Sequence, residues 1–202
     1  MEISFFLKGL AIGFSIAAPV GPIGVLCIRR TLTNGRASGL ASGLGAATAD
    51  AVYGCVAGFG LTFVSNTLIS QQLWFRLVGG VFLCYLGLKT LLAKPAEEAA
   101  PAGANSLISA YTSTFFLTLT NPMTIISFAA IFAGLGGSSG NYVSAALLVL
   151  GVFIGSALWW LTLSTGVSTF RTKVTPDGLR WVNRISGLVI AAFGLLALLS
   201  LT

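Results

Sequence analysis

One carboxylate stands well inside an apolar run of this chain. Asp50 lies in Gly43-Leu-Gly-Ala-Ala-Thr-Ala-Asp50-Ala-Val-Tyr53-Gly54, and a carboxylate near the centre of a membrane helix costs roughly 2.5 to 3.5 kcal/mol on insertion scales. A residue that expensive is expected to have a partner or a use. Two uses compete: pairing with the ammonium group of a substrate, and loading and releasing a proton. The structural alternative is a hydrogen bond to irregular backbone nearby or to a hydroxyl such as that of Thr48.

Irregular backbone is expected close by. In Ala18-Pro19-Val20-Gly21-Pro22 two prolines remove two amide donors and clash with the preceding turn, so a helix must break there. Thr120-Asn121-Pro122 is a milder version, in which the Asn side chain adds a donor and an acceptor at the bend. Within hydrocarbon, broken backbone survives only where protein or a water-filled cavity satisfies it. Packing kinks are the plain alternative, but paired breaks at corresponding positions of two halves point to a transporter binding site near the bilayer midplane. Pro19, Gly21, Pro22, Asn121 and Pro122 therefore join Asp50 and Thr48 as candidate site residues. The aromatic pair Trp159-Trp160 is expected to line a pathway or to face lipid.

Other chemistries lack their residues. The chain has no histidine, which excludes a Ser-His protease, a His-zinc protease and haem ligation by His. Cys27, Cys55 and Cys84 have no metal or redox spacing and read as small core residues. There is no P-loop, G-x-x-x-x-G-K-[ST]. No cofactor and no metal site are expected.

The elements that hold these residues must be membrane helices. Of 202 residues 55% are hydrophobic and 8% charged, against roughly 25% charged in a soluble domain, so the chain is expected to lie in a lipid bilayer. Runs of about 20 apolar residues recur, giving six expected spans near 3–28, 40–64, 74–92, 107–135, 142–165 and 181–201. The first run begins with Glu2, has no cluster of positive charge, and reads as a retained span rather than a signal peptide. The net charge of +6 does not imply nucleic acid, because no soluble basic domain exists to hold it. Nine of the eleven cations lie at the loops after spans 1, 3 and 5, leaving Lys8 and Arg76 on the other side. The positive-inside rule then puts the odd loops in the cytoplasm and both termini outside. Arg29, Arg30 and Arg36 read as cytoplasmic anchors, and Trp74, Trp181, Tyr111 and Tyr142 as interfacial ones.

The two halves resemble each other. Offset by 107 residues, Gly80, Gly87, Leu88, Leu91 and Leu92 meet identical partners in Gly187, Gly194, Leu195, Leu198 and Leu199. An offset of 106 pairs Gly45 with Gly151, Asp50 with Ser156 and Tyr53 with Trp159, and one of 100 pairs Pro22 with Pro122. The expected fold is an all-α membrane protein of six transmembrane helices, built as two inverted three-helix repeats with helices 1 and 4 broken at prolines. Residues 1–93 form the first repeat and 107–202 the second. Between them, 94–106 reads as a flexible cytoplasmic linker, since its Pro/Ala/Gly stretch buries almost nothing. Gly9 and Gly13, Gly39 and Gly43, Gly54 and Gly58, and Gly151 and Gly155 are G-x-x-x-G pairs, expected as packing seams that also permit a homodimer.

The stretch from Ala18 to Gly54, APVGPIGVLCIRRTLTNGRASGLASGLGAATADAVYG, resembles the first-half signature of the lysine exporter (LysE-type) family of amino-acid exporters. NPMTIISFAAIF from Asn121 is a second match, and GSALWW from Gly155 a third. The resemblance covers essentially the whole chain. It implies a bacterial inner-membrane secondary transporter exporting amino acids or related metabolites on an ion gradient, with Pro19, Gly21, Pro22, Asp50, Asn121 and Pro122 at its central site. Met123 stands where related members often have Lys. Thiol-transferring oxidoreductases of the same superfamily need a cysteine in spans 1 and 4, and span 4 has none.

The expected mechanism is alternating access. A small zwitterion enters from the cytoplasm, its amino group pairs with Asp50, its carboxylate meets free amides at the break in span 1, and an inward proton resets Asp50. Thr48, Tyr53, Ser156 and Trp159 complete the expected substrate or coupling site. The competing functions are export of a metal or other cation, which predicts clustered ligands, and a non-transporting membrane assembly role.

Overall fold

A computed structural model of the chain describes residues 2–19, 21–59, 70–93, 104–121, 124–125, 127–128, 142–171 and 175–199. These residues form seven helices and no strands: α1 (Glu2–Ala17), α2 (Pro22–Asn34), α3 (Arg36–Gly58), α4 (Gln72–Leu91), α5 (Ala104–Leu119), α6 (Tyr142–Ser168) and α7 (Pro176–Leu199). The expected class is therefore observed as all-helical.

The first expected span is broken where the prolines demand. α1 stops at Ala17, Gly21 is extended (φ −104°, ψ −167°), and Pro22 opens α2, the helix position where a missing amide costs nothing. The two helices meet at a bend of 78°. With 13 residues, α2 is about 20 Å long at 1.5 Å per residue, too short for hydrocarbon about 30 Å thick. It closes on Gly35, whose φ of 94° suits only glycine and whose amide donates to Thr31 O at 3.1 Å, so the chain turns at once into α3.

The fourth expected span also stops short. α5 ends at Leu119, the Asn121 amide turns back to Thr118 O at 3.2 Å, and helical bonding resumes from Ile125 N to Asn121 O at 3.1 Å. Pro122 lies outside the described residues. So do 94–103 of the expected linker, while α5 already begins within that stretch at Ala104.

Leu73–Leu91, Tyr142–Ser168 and Asp177–Leu199 are each long and apolar enough to cross a bilayer, and the bent pair α1–α2 makes a fourth. That count covers the described residues alone, and 60–69 and most of 122–141 lie outside them. α5 is apolar but short, and α3 carries Ser38, Ser42, Thr48 and Asp50 among small residues. Lipid is legible on the outer faces: Trp74, Val78, Val81, Tyr85, Leu88 and Leu92, spaced by three or four, are all exposed along one side of α4.

Inside, α1 packs along α6, α4 along α7, and α3 against both α5 and α6. α2 lies among α3, α6 and α7, and Ile23, Leu26 and Cys27 share a core with Ala46, Leu83 and Trp160. The glycine seams work within the chain. A β-carbon at Gly9 or Gly13 would run into the carbonyls of Leu148 and Val152, and one at Gly151 or Gly155 into those of Phe6 and Leu10. These seams therefore give no support to a second copy of the chain.

This close packing predicts a contrast within one helix. Gly155→Ala, whose β-carbon meets Leu10 O, should destabilise by about 1 to 3 kcal/mol, the usual cost of overpacking. Gly166→Ala, with nothing within 4 Å, should be neutral or stabilising by up to about 1 kcal/mol. Thermal unfolding of the two detergent-solubilised variants measures the difference.

Candidate functional site

The helix breaks are packed around a hollow. A cavity of about 570 Å³ lies at the junction of α1 and α2, walled also by α3, α4, α5, α6 and α7. That is the usual size of a small-molecule site. Pro19, Gly21 and Pro22 from the first break and Asn121 from the second line it together with Asp50, so residues far apart in sequence converge. The opposite wall is apolar, with Leu83, Phe193 and Leu196.

Asp50 is 3% exposed. Ser156 on α6 donates its hydroxyl to Asp50 Oδ2 at 2.7 Å, and Trp160 donates Nε1–H to Ser156 Oγ at 3.2 Å. The only ion pair among the described residues joins Arg180 to Asp177, so no described cation neutralises Asp50. A buried carboxylate held by a neutral hydroxyl retains lone pairs for a proton or an ammonium group.

The break's backbone is partly used already. The Gly21 amide donates to Pro19 O at 3.0 Å, which leaves the first-turn amides of Ile23 and Gly24, for which α2 itself has no carbonyl. Both residues line the cavity.

Other expected site residues stand behind the wall. Tyr53 is buried, donates to Leu119 O at 2.6 Å and stacks on Phe128 at 5.2 Å, which pins α3 to the end of α5. Thr48 bonds Leu44 O and accepts from Tyr111 at 2.9 Å, and is not the partner of Asp50. Trp159 meets Phe14 edge to face at 5.3 Å, whereas its neighbour Trp160 reaches the cavity. Helical spacing explains the difference: Trp160 follows Ser156 by one turn, so it shares the face that carries the Asp50 contact.

Arginines mark both ends of the bundle. Arg30, expected as a surface anchor, instead lies between helices. It donates to Ser42 Oγ and Thr114 Oγ1 at 2.8 Å, Ala110 O at 3.0 Å and Ser113 Oγ at 2.8 Å, tying α2 to α3 and α5. Arg29 Nε donates to Asn183 Oδ1 on α7 at 2.9 Å, and Asn183 Nδ2 to Ala93 O at 3.3 Å. At the other end Arg76, expected as a loop cation, lines the cavity. Thr118, Thr124 and Ser127 are further polar lining residues without a sequence signal. Arg76 had one, as a cation at the head of an apolar run on the cation-poor side.

Comparison with known proteins agrees with this picture. The model of the family described as "LysE type translocator" matches residues 14–201. "Putative amino acid efflux protein YcgF" of Bacillus subtilis (strain 168) is 31% identical over 197 residues, covering 95% of this chain and 93% of that protein. The "Uncharacterized membrane protein YahN" of Escherichia coli (strain K12) is 26% identical over 178 residues, 83% of this chain and 77% of that one. No solved structure matches the chain.

The Arg30 network yields a direct check on the assembly of this region. Arg30→Ala removes the donors to Ser42 and Thr114 Oγ1, and should cost about 1.5 to 3 kcal/mol, the range for hydrogen bonds to a charged group. Arg36→Ala, at an exposed residue, should cost less than about 0.5 kcal/mol. Equal melting temperatures for the two variants would contradict the interior role of Arg30.

Proposed function

The chain belongs to the LysE type translocator family, and from that premise we propose that it exports amino acids or related small metabolites from the cytoplasm. On this reading it is a secondary transporter of the bacterial inner membrane, drawing on the proton gradient. The name of the Bacillus subtilis relative, an amino acid efflux protein, supports the substrate class. The single observation that carries the reading is Asp50, a buried carboxylate on the wall of a cavity formed between two helix breaks, held by a hydroxyl and by no described cation.

The chemistry follows from charge. A carboxylate in hydrocarbon is costly alone and tolerable when neutralised. One proton or one substrate ammonium neutralises it equally, so each displaces the other. Loading the amino group from the cytoplasm and a proton from outside makes Asp50 the point of exchange for antiport. The substrate carboxylate then lies toward the head of α2, near the amides of Ile23 and Gly24.

We assign the chain two inverted three-helix repeats, residues 1–93 and 107–202, joined by the 94–106 linker. Contacts that recur on exchanging the halves support this. Gly80 meets Leu198 and Gly194 O, and Gly187 meets Leu91 and Gly87 O. Gly45 meets Tyr111 O and Phe115 N, and Gly151 meets Phe6 O and Leu10 N. Asp50 bonds its repeat counterpart, Ser156. With both termini periplasmic, the Arg29 and Arg30 network closes the cytoplasmic end and the cavity lies toward the periplasm, as in a substrate-releasing state. Alternating access then consists of moving the α4–α7 pair against the other helices about the site.

The reading predicts that Asp50→Asn abolishes export while the protein still reaches the membrane in wild-type amount. Across a panel of the twenty amino acids, the purified wild-type protein should gain thermal stability with at least one, because only a binder is stabilised by its ligand, and Asp50→Asn should lose that gain. Export at the wild-type rate by Asp50→Asn would overturn the mechanism.

A further inference from the structure

The chain has five acids, Glu2, Asp50, Glu97, Glu98 and Asp177, and they are unequally placed for a ligand. Glu2 opens α1, Glu97 and Glu98 follow α4 in the 94–106 stretch, and Asp177 pairs with Arg180 in the first turn of α7. Asp50 is the one acid among the described lining of the cavity. One carboxylate neutralises one cationic group, so a second ammonium or guanidinium carried into the same hollow would be buried without a counter-charge. Arg76, the other charged lining residue, has donors only and offers such a group nothing to bind.

The rest of the lining divides by helix. Polar side chains come from α3 and from the region where α5 ends, with Asp50, Thr118 and Asn121. α7 contributes Phe193, Leu196 and Ala197, which fall at i, i+3 and i+4 and so form one apolar stripe, and α4 adds Leu83 beside it. Leu83 is buried in one core with Ile190, a turn before Phe193. The backbones behind the stripe leave no slack, since a β-carbon at Gly87 would run into Ala191 and one at Gly194 into Cys84. A ligand group laid on this wall removes apolar surface from water, and a polar group laid there loses its hydration with no hydrogen bond in return.

An amino acid has three substituents to place. On the reading above, its ammonium meets Asp50 and its carboxylate lies toward the head of α2, which leaves the side chain for the α4–α7 wall. We propose that the site takes amino acids with apolar side chains, that Phe193 and Leu196 select them, and that lysine and arginine are rejected for want of a second carboxylate. The inference rests on the amino-acid reading of the same cavity and narrows its substrate class.

The test uses the full-length purified protein and derives affinities from the dose dependence of the thermal shift for alanine, valine, leucine, threonine and lysine. Affinity should rise about fourfold for each methylene added from alanine to leucine, the scale of apolar burial. Valine should bind about tenfold or more tighter than threonine, which has the same shape with a hydroxyl in place of a methyl. Lysine should bind more than about tenfold weaker than leucine. Phe193→Ala should weaken leucine about tenfold and alanine less than about twofold, and Leu196→Ala, with a smaller effect in the same direction, serves as the readout if Phe193→Ala does not fold. Lysine bound as tightly as leucine, threonine as tightly as valine, or equal losses for leucine and alanine in the variants overturns the side-chain inference and leaves export intact. Failure of wild-type protein to bind any amino acid overturns both.

Discussion

A polypeptide inside a bilayer has no water to satisfy a broken helix, so every interruption must be wrapped in protein. The Pro19 to Pro22 break imposes that condition on this chain, and the rest of the architecture meets it. α2 is too short to span and is buried instead, with its first residues, Pro22, Ile23 and Gly24, inside. Arg29 and Arg30 fasten its far end to α7, α3 and α5. Its near end cannot be filled by regular packing, because proline rings and an extended glycine leave no helical surface there. The cavity occupies that place.

A costly carboxylate beside such a cavity is coherent physically. The glycines of α1 and α6 bring those helices into backbone contact, and α6 in turn lies against α3, which sets Ser156 within a hydrogen bond of Asp50. Tyr53 fixes the next turn of α3 to Leu119, so Asp50 is held on a rigid support. On the proposed mechanism this placement matters, because exchange of an ammonium for a proton requires that both meet the same oxygen atoms.

Much of this was legible in the sequence because it depends on local chemistry. Proline rings break helices wherever they stand, so the interruption at Pro19 to Pro22 was readable, and the stop after Leu119 was foreshadowed by Asn121. Asp50 was conspicuous through its cost alone. Its partner was not: the hydroxyl expected beside it is that of Thr48, and Ser156, which aligns with Asp50 between the halves, is the one that bonds it. What the sequence left unread depends on which way a side chain turns. Trp159 and Trp160 are neighbours, and only helix phase against Ser156 decides between them. Arg30 and Arg76 appeared as ordinary flanking cations, because hydropathy sees a charge at a helix end and not the interior to which it folds back. The six-span count was also uneven in its signal, since α3 is rich in small and polar residues that lower its hydropathy.

The central claim is that this single chain carries an amino acid through the cavity at Asp50. Counterflow in proteoliposomes tests it most directly: vesicles of purified protein, preloaded with one amino acid, are diluted into a trace of the same labelled compound. For at least one of the twenty amino acids the account predicts transient accumulation of label with wild-type protein and none with Asp50→Asn. No accumulation for any amino acid, or equal accumulation with Asp50→Asn, would contradict it.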